Sequence, residues 1–276
     1  MNSSPLHQSK DRDQTGSMIY LTHGGGPLPL LGDPQHQELV DFLRRIPTTL
    51  ITPAAIVVIS AHWEQTIPTI TSGKTPALFY DYYGFPEESY SISYPAPGAP
   101  ELAGKIHRLF LEQGLAAGLD ERRGFDHGVF IPLKIMYPKA NIPCVQISLQ
   151  DNLRPQDHIK MGRALAALPG ENLLIIGSGS SFHNLRAFRE PPTGISRQNN
   201  EAFEEWLSET MTDASLSENE RERRLLCWDR APAARYCHPR EEHLLPLHVC
   251  YGIAARPAAR TYTMELMGKT VSTYIW

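Results

Sequence analysis

Ala55–Ser60 reads AIVVIS and runs directly into AHWE at Ala61–Glu64. A short, unbroken apolar run rich in β-branched residues fits a strand covered on both faces, not one with a solvated side. Three further runs have the same character: Met18–Leu21, Ile142–Ser148 (IPCVQIS) and Asn172–Gly177 (NLLIIG). Amphipathic helical patterns lie between or after them, over Gln35–Arg45, Ala99–Gln113, Pro155–Leu168 and Asn200–Thr212. Strands of this kind alternating with helices predict an α/β fold: a single domain with a mostly parallel central sheet and helices on both faces. In such sheets the active site lies at the carboxyl ends of the strands, where loops and helix N-termini converge.

Composition bounds the function classes. At 276 residues the chain suits one large domain, and 41% hydrophobic with 20% charged residues is ordinary for a globular protein. The net charge of −4 is mild, and basic residues are scattered apart from RERR at Arg221–Arg224, so no nucleic-acid footprint exists. No apolar run approaches the ~20 residues that span a bilayer, and no membrane partner is expected. Cys144, Cys227, Cys237 and Cys250 show no CxxC spacing and no signal peptide precedes them, so they read as reduced, buried thiols of a cytoplasmic protein. Residues 1–17 are polar and read as a flexible leader, with the ordered domain over 18–276.

The residues that follow the strands carry the chemistry. After Leu21 comes THGGGP with His23; after Ile59 comes SAHWE with His62; after Gly177 comes SGSSFHN with His183. Gly24–Gly26 let the chain turn sharply and keep side chains away from a site beside His23. His127 lies between Asp126 and Gly128, where Asp126 reads as the N-cap of an apolar helix. His238, His243 and His248 are five residues apart, so a continuous helix would rotate each by roughly 140° from the next, and one of them serves a given site. His243 is placed on the opening turn of the last long helix, and His248 among packing residues. His36, His107 and His158 read as solvated helix surface, and His7 falls in the leader. Loop-borne histidines without cysteine pairs have the pattern of a catalytic metal site with open coordination positions, and imidazole suits Fe, Zn, Cu or Ni alike.

Eight blocks in a fixed order give a more specific signal: HGGGP at His23–Pro27, SAHW at Ser60–Trp63, YGFP at Tyr83–Pro86, YPAPG at Tyr94–Gly98, FDHG at Phe125–Gly128, MYP at Met136–Pro138, HNLR at His183–Arg186 and EEHLLPL at Glu241–Leu247. Through them the chain resembles the class III extradiol ring-cleavage dioxygenases, in the DOPA-dioxygenase-like branch. It departs from the family's more frequent His-Gly-Ser-Pro in the first block and from the proline common at the position of Glu241. The resemblance implies a catalytic domain over 18–276 in which His23, His62 and His243 hold one Fe(II) per chain, with Zn(II) an alternative occupant in purified protein. It implies that His183 is the base beside the metal, or a fourth ligand when zinc is bound, and that His127 is an acid that meets substrate or oxygen. Gly24, Gly25 and Tyr83 are expected beside the substrate. The implied partners are a small aromatic diol or aminophenol and O2, the implied product is a muconic semialdehyde, and the implied assembly is a monomer or small homo-oligomer. The competing enzyme class is a zinc-dependent hydrolase on the same histidines, which would work without oxygen. A purely structural α/β protein would leave the gathering of histidines at the strand ends unexplained.

Overall fold

The computed structural model describes residues 17–190 and 194–276, among which eight strands form one sheet. The strands are β1 (Ser17–Thr22), β2 (Ala55–Gln65), β3 (Thr69–Thr71), β4 (Gly118–Asp120), β5 (Cys144–Gln150), β6 (Leu173–Gly179), β7 (Arg260–Leu266) and β8 (Lys269–Ile275), in the order β4-β3-β5-β2-β6-β1-β8-β7. The four runs picked out by their apolar character are β5, β2, β6 and β1, the parallel centre of the sheet. Ile56–Ile59 and Ile19–Leu21 are wholly excluded from solvent, because helices cover both faces.

The edges are mixed. The β7–β8 hairpin runs antiparallel to β1, and β3 pairs antiparallel with β5. Helix α1 (Gln37–Arg45) lies against α3 (His127–Met136), which packs on β2 and β6. On the other face, α2 (Pro100–Glu112) meets α4 (Pro155–Ala164), which packs against α8 (Leu245–Ala254) over β6, β1 and β2. Helix α5 (Gly194–Thr212) covers β8 beside α6 (Glu218–Leu226) and the short α7 (Ala234–Cys237). No helix among the described residues is long and apolar enough to cross a membrane.

Several expectations need correction. The leader expected over 1–17 lies outside the described residues except for Ser17, which already belongs to β1. Strand β2 does not end near Ser60: it continues to Gln65, with its register to β5 slipping between Ile59 and Glu64, so His62 sits in an irregular stretch of strand. Such an irregularity re-aims side chains near a site. His243 is not within a helix; it occupies the turn two residues before Leu245, and Pro246 takes the early helical position that proline tolerates. His36 and His158 are fully buried, not solvated, because both nitrogens of each ring find a partner inside the fold. His36 Nε2 accepts the Gly25 amide at 3.0 Å while its Nδ1 donates to Asp33 at 2.5 Å. His158 Nε2 accepts the Gln150 amide at 3.2 Å while its Nδ1 donates to Arg154 O at 2.8 Å. His107 is half-buried. His248 is buried between the carbonyls of Leu244 and Leu225, as a packing residue should be.

Candidate active site

Five histidines meet where the parallel strands end. His23 follows β1, His62 lies in the irregular end of β2, and His183 follows β6 by four residues. His127 is the first residue of α3, and His243 stands in the turn before α8. His23, His127 and His243 are 2%, 5% and 4% exposed, whereas His62 and His183 keep about a fifth of their side chains open, at 21% and 23%. The cluster therefore has a closed back and an accessible front.

Close packing fixes where the rear histidines sit. Gly179 ends β6 with its α-carbon against the His243 carbonyl; a Cβ there would fall 2.1 Å from that oxygen. The same carbonyl accepts the Ser180 amide at 3.0 Å and the Tyr20 hydroxyl at 2.9 Å, which ties the turn before α8 to β6 and β1. Asp126 holds the N-cap position of α3, but its side chain does not cap the helix. Its carboxyl instead accepts from Ser60 Oγ on β2 at 2.8 Å and from Gln146 on β5. Burial, followed by the nearby Asp81 charge, pushes this carboxyl up to about 6. The expected helix cap is in fact a brace between α3 and the sheet.

The hydrogen-bond partners determine the proton positions on the rings. Ser178 Oγ donates to Gly128 O at 2.5 Å, so it can only accept from His23 Nδ1, 3.0 Å away. Glu242 Oε1 lies 2.9 Å from His243 Nδ1, and Asp81 Oδ1 lies 2.8 Å from His127 Nδ1; ionised carboxylates only accept. His62 Nδ1 faces Asp81 Oδ2 at 3.4 Å. With Nδ1 protonated, each Nε2 carries a free lone pair. The Nε2 atoms of His62 and His23 are 2.9 Å apart, and those of His243 and His62 are 3.2 Å apart. Three lone pairs facing one another across such distances have no shared proton to bind and suit a common cation. His23, His62 and His243 offer nitrogens within 4.8 Å of one another. Burial, aided by the neighbouring imidazoles, holds all three well below the ordinary histidine range, in the neutral form a metal requires.

Two carboxylates complete the site and were not anticipated from the sequence. Asp81, between β3 and α2, contacts His127 and His62; Glu242, adjacent to His243, contacts His243 and lies 3.2 Å from His183 Nδ1. Burial pushes both carboxyls up, but the bonds and charges of His127 for Asp81, and of His183 for Glu242, outweigh it and hold them below the usual range. A carboxylate beside a loop histidine has no sequence spacing that marks it, although Glu242 lies within the block Glu241–Leu247.

Of the three residues expected beside the substrate, Tyr83 faces solvent. Tyr83 is 92% exposed, and its neighbour Tyr82 is the ring that stands 5.8 Å from His127, backed by Phe85. The chain beside Asp81 thus turns Tyr82 inward and Tyr83 out. Of the glycines after His23, Gly26 does keep side-chain space clear, since a Cβ there would meet Phe85 Cζ at 3.2 Å, whereas Gly24 has φ of +83° and a Cβ there would meet Pro29 Cγ at 2.6 Å. A Cβ on Gly25 would approach His36 and Leu28 in the same way.

The family described as the catalytic LigB subunit of aromatic ring-opening dioxygenase matches residues 17–274. The dioxygenase tasH of Hapsidospora irregularis is 42% identical, over 94% of this chain and 85% of that protein. A 4,5-DOPA dioxygenase extradiol of Beta vulgaris is 37% identical, over 88% of each chain. A crystal structure of an uncharacterized protein of Escherichia coli K12 superposes with a TM-score of 0.73 at 28% identity, covering 94% of this chain and 99% of that one.

Proposed function

The chain belongs to the LigB family of class III extradiol aromatic ring-opening dioxygenases, and from that premise we propose that His23, His62 and His243 hold one Fe(II) at which a catechol is cleaved by O2 to a muconic semialdehyde. The observation that carries this reading is the convergence of three Nε2 lone pairs on one point, each with its Nδ1 proton facing a separate acceptor. When bound, the ion would supply a Lewis-acidic, redox-active centre for a catechol and O2.

The protein's own groups do the rest. Three neutral imidazoles leave the dication's charge uncompensated, which favours a doubly deprotonated catechol. His183 removes a phenolic proton: its Nδ1 faces Glu242, so Nε2 is the free acceptor, and its partial exposure puts it on the side by which substrate enters. His127, held through Nδ1 by Asp81, presents Nε2 as the second proton-transfer position at the buried end. Tyr82 and Phe85 form an apolar wall that excludes water and suits an aromatic ring. Gly24 and Gly25 contribute backbone to the loop beside His23. Zinc fits the same nitrogens, with His183 close enough to His243 to become a fourth ligand.

Activity distinguishes this from zinc-dependent hydrolysis. Protein reconstituted anaerobically with Fe(II) should take up one O2 per catechol and place both oxygen atoms of ¹⁸O2 in the ring-opened product. DOPA, the compound in the names of several relatives, is the first catechol to test. Turnover that proceeds without oxygen would favour the hydrolase.

A further inference from the structure

We propose that Asp81 and Glu242 are a matched pair of positioning residues, each joining one imidazole of the metal-binding set to one imidazole of the proton-transfer set; this rests on the assignment above. Glu242 Oε1 lies 2.9 Å from His243 Nδ1 and 3.2 Å from His183 Nδ1. Asp81 lies 2.8 Å from His127 Nδ1 through Oδ1 and 3.4 Å from His62 Nδ1 through Oδ2. The two carboxylates come from unrelated parts of the chain, one between β3 and α2 and one before α8, yet make the same pairing. His23, the remaining ring, has the neutral Ser178 hydroxyl instead.

Neither carboxylate is fully engaged by other partners. Asp81 Oδ2 and Glu242 Oε2 are buried without a hydrogen-bond partner among the described residues. Arg240 approaches Glu242 Oε2 only to 3.5 Å, because its guanidinium is held by both oxygens of Glu64 at 2.5 and 2.7 Å. Buried acceptors left open in this way are the places where a site tightens once a cation draws the rings together. Asp81 Oδ1 also accepts the His127 amide at 2.9 Å, so the same group sets the start of α3.

The chemical consequence follows from what a carboxylate can do. It accepts and never donates, so His243 and His127, which hydrogen-bond to it, carry their proton on Nδ1, and the same form is favoured in His183 and His62, whose Nδ1 atoms face it; each ring then turns Nε2 to the centre. Two of those Nε2 atoms face the cation and two face the protons of the substrate. A positive charge arriving on His183 is met by the oxygen that orients His243, and one arriving on His127 by the group that faces His62. Ligand geometry and proton transfer are thereby linked in two separate halves.

The test uses Glu242→Gln, Asp81→Asn and the charge-conserving Glu242→Asp, each checked for a native circular dichroism spectrum. Zinc affinity of the metal-stripped proteins is measured by competition with a chromophoric chelator, and ring tautomers by long-range ¹H–¹⁵N NMR of the metal-free and zinc-loaded forms. Glu242→Gln should weaken zinc about 10–100-fold and change the ring signals of His183 and His243 only. Asp81→Asn should change those of His127 and His62 only, and Glu242→Asp should recover part of the affinity. Folded variants with wild-type zinc affinity and ring signals would overturn the proposal. Wild-type protein that bound no zinc would instead overturn the three-histidine site, and the metal-free ring signals would still decide the pairing.

Discussion

The imidazole of His183 is stacked on that of His243, with 3.4 Å between ring centroids and 16° between planes. On the proposed assignment, stacking lets His183 share the approach to the metal without being one of its three ligands. His183→Ala should therefore retain iron and bind catechol but turn over ~10²–10⁴-fold more slowly, the usual cost of losing a positioned base. Raising the pH should restore part of the rate, because substrate then arrives deprotonated. Iron content and oxygen uptake measured together check this; loss of iron in the variant would make His183 a ligand.

Gly179 tests whether the rear of the site is as tight as its geometry implies. A methyl group there would enter the His243 carbonyl, which is already bonded to Ser180 and Tyr20. Gly179→Ala should lower stability by ~1–3 kcal/mol through overpacking and displace His243. Thermal unfolding and zinc titration should both register the change, and unaltered metal affinity would mean that the turn before α8 moves freely.

The parallel centre of the fold was legible because its four strands are buried on both faces and so form continuous apolar runs. The β7–β8 hairpin was not. β7 exposes most of its residues, and its two-residue turn, Met267 (φ 51°) and Gly268 (φ 72°), places a methionine where asparagine or aspartate would have signalled the turn. Histidines were legible at strand ends through their position in the chain. Asp81 and Glu242 were not, because what singles them out is contact with rings distant in sequence: His127 is 46 residues from Asp81. His36 and His158 were misjudged for a related reason, since polar neighbours in sequence say little about the backbone groups a ring bonds in the interior.

Stability should carry the signature of Glu204. This residue of α5 is 5% exposed, accepts from Ser272 Oγ at 2.6 Å, and leaves its other oxygen unpartnered. Burial pushes its carboxyl from 4.5 up to about 7, with hydrogen bonding to serine side chains offsetting only part of the rise. The folded protein then keeps a proton that the unfolded chain releases between those values. Stability is greatest below pH 4.5 for this group and falls as pH rises to about 7. Glu204→Gln should flatten that fall, gaining up to roughly 3 kcal/mol over the parent at pH 8 relative to pH 4.5. Denaturant unfolding of both proteins across this range gives the comparison; parallel curves would show that Glu204 is ionised in the fold.

The central claim is that three imidazoles hold an iron at which a catechol ring is opened by oxygen. The most direct measurement is oxygen uptake, with ¹⁸O2 product analysis, by Fe(II)-reconstituted protein beside His62→Ala treated identically. The account predicts one iron per chain, one O2 per catechol and both labelled atoms in the product for the parent, with iron and uptake lost together in the variant. A His62→Ala protein that bound one iron tightly and still opened the ring would contradict it.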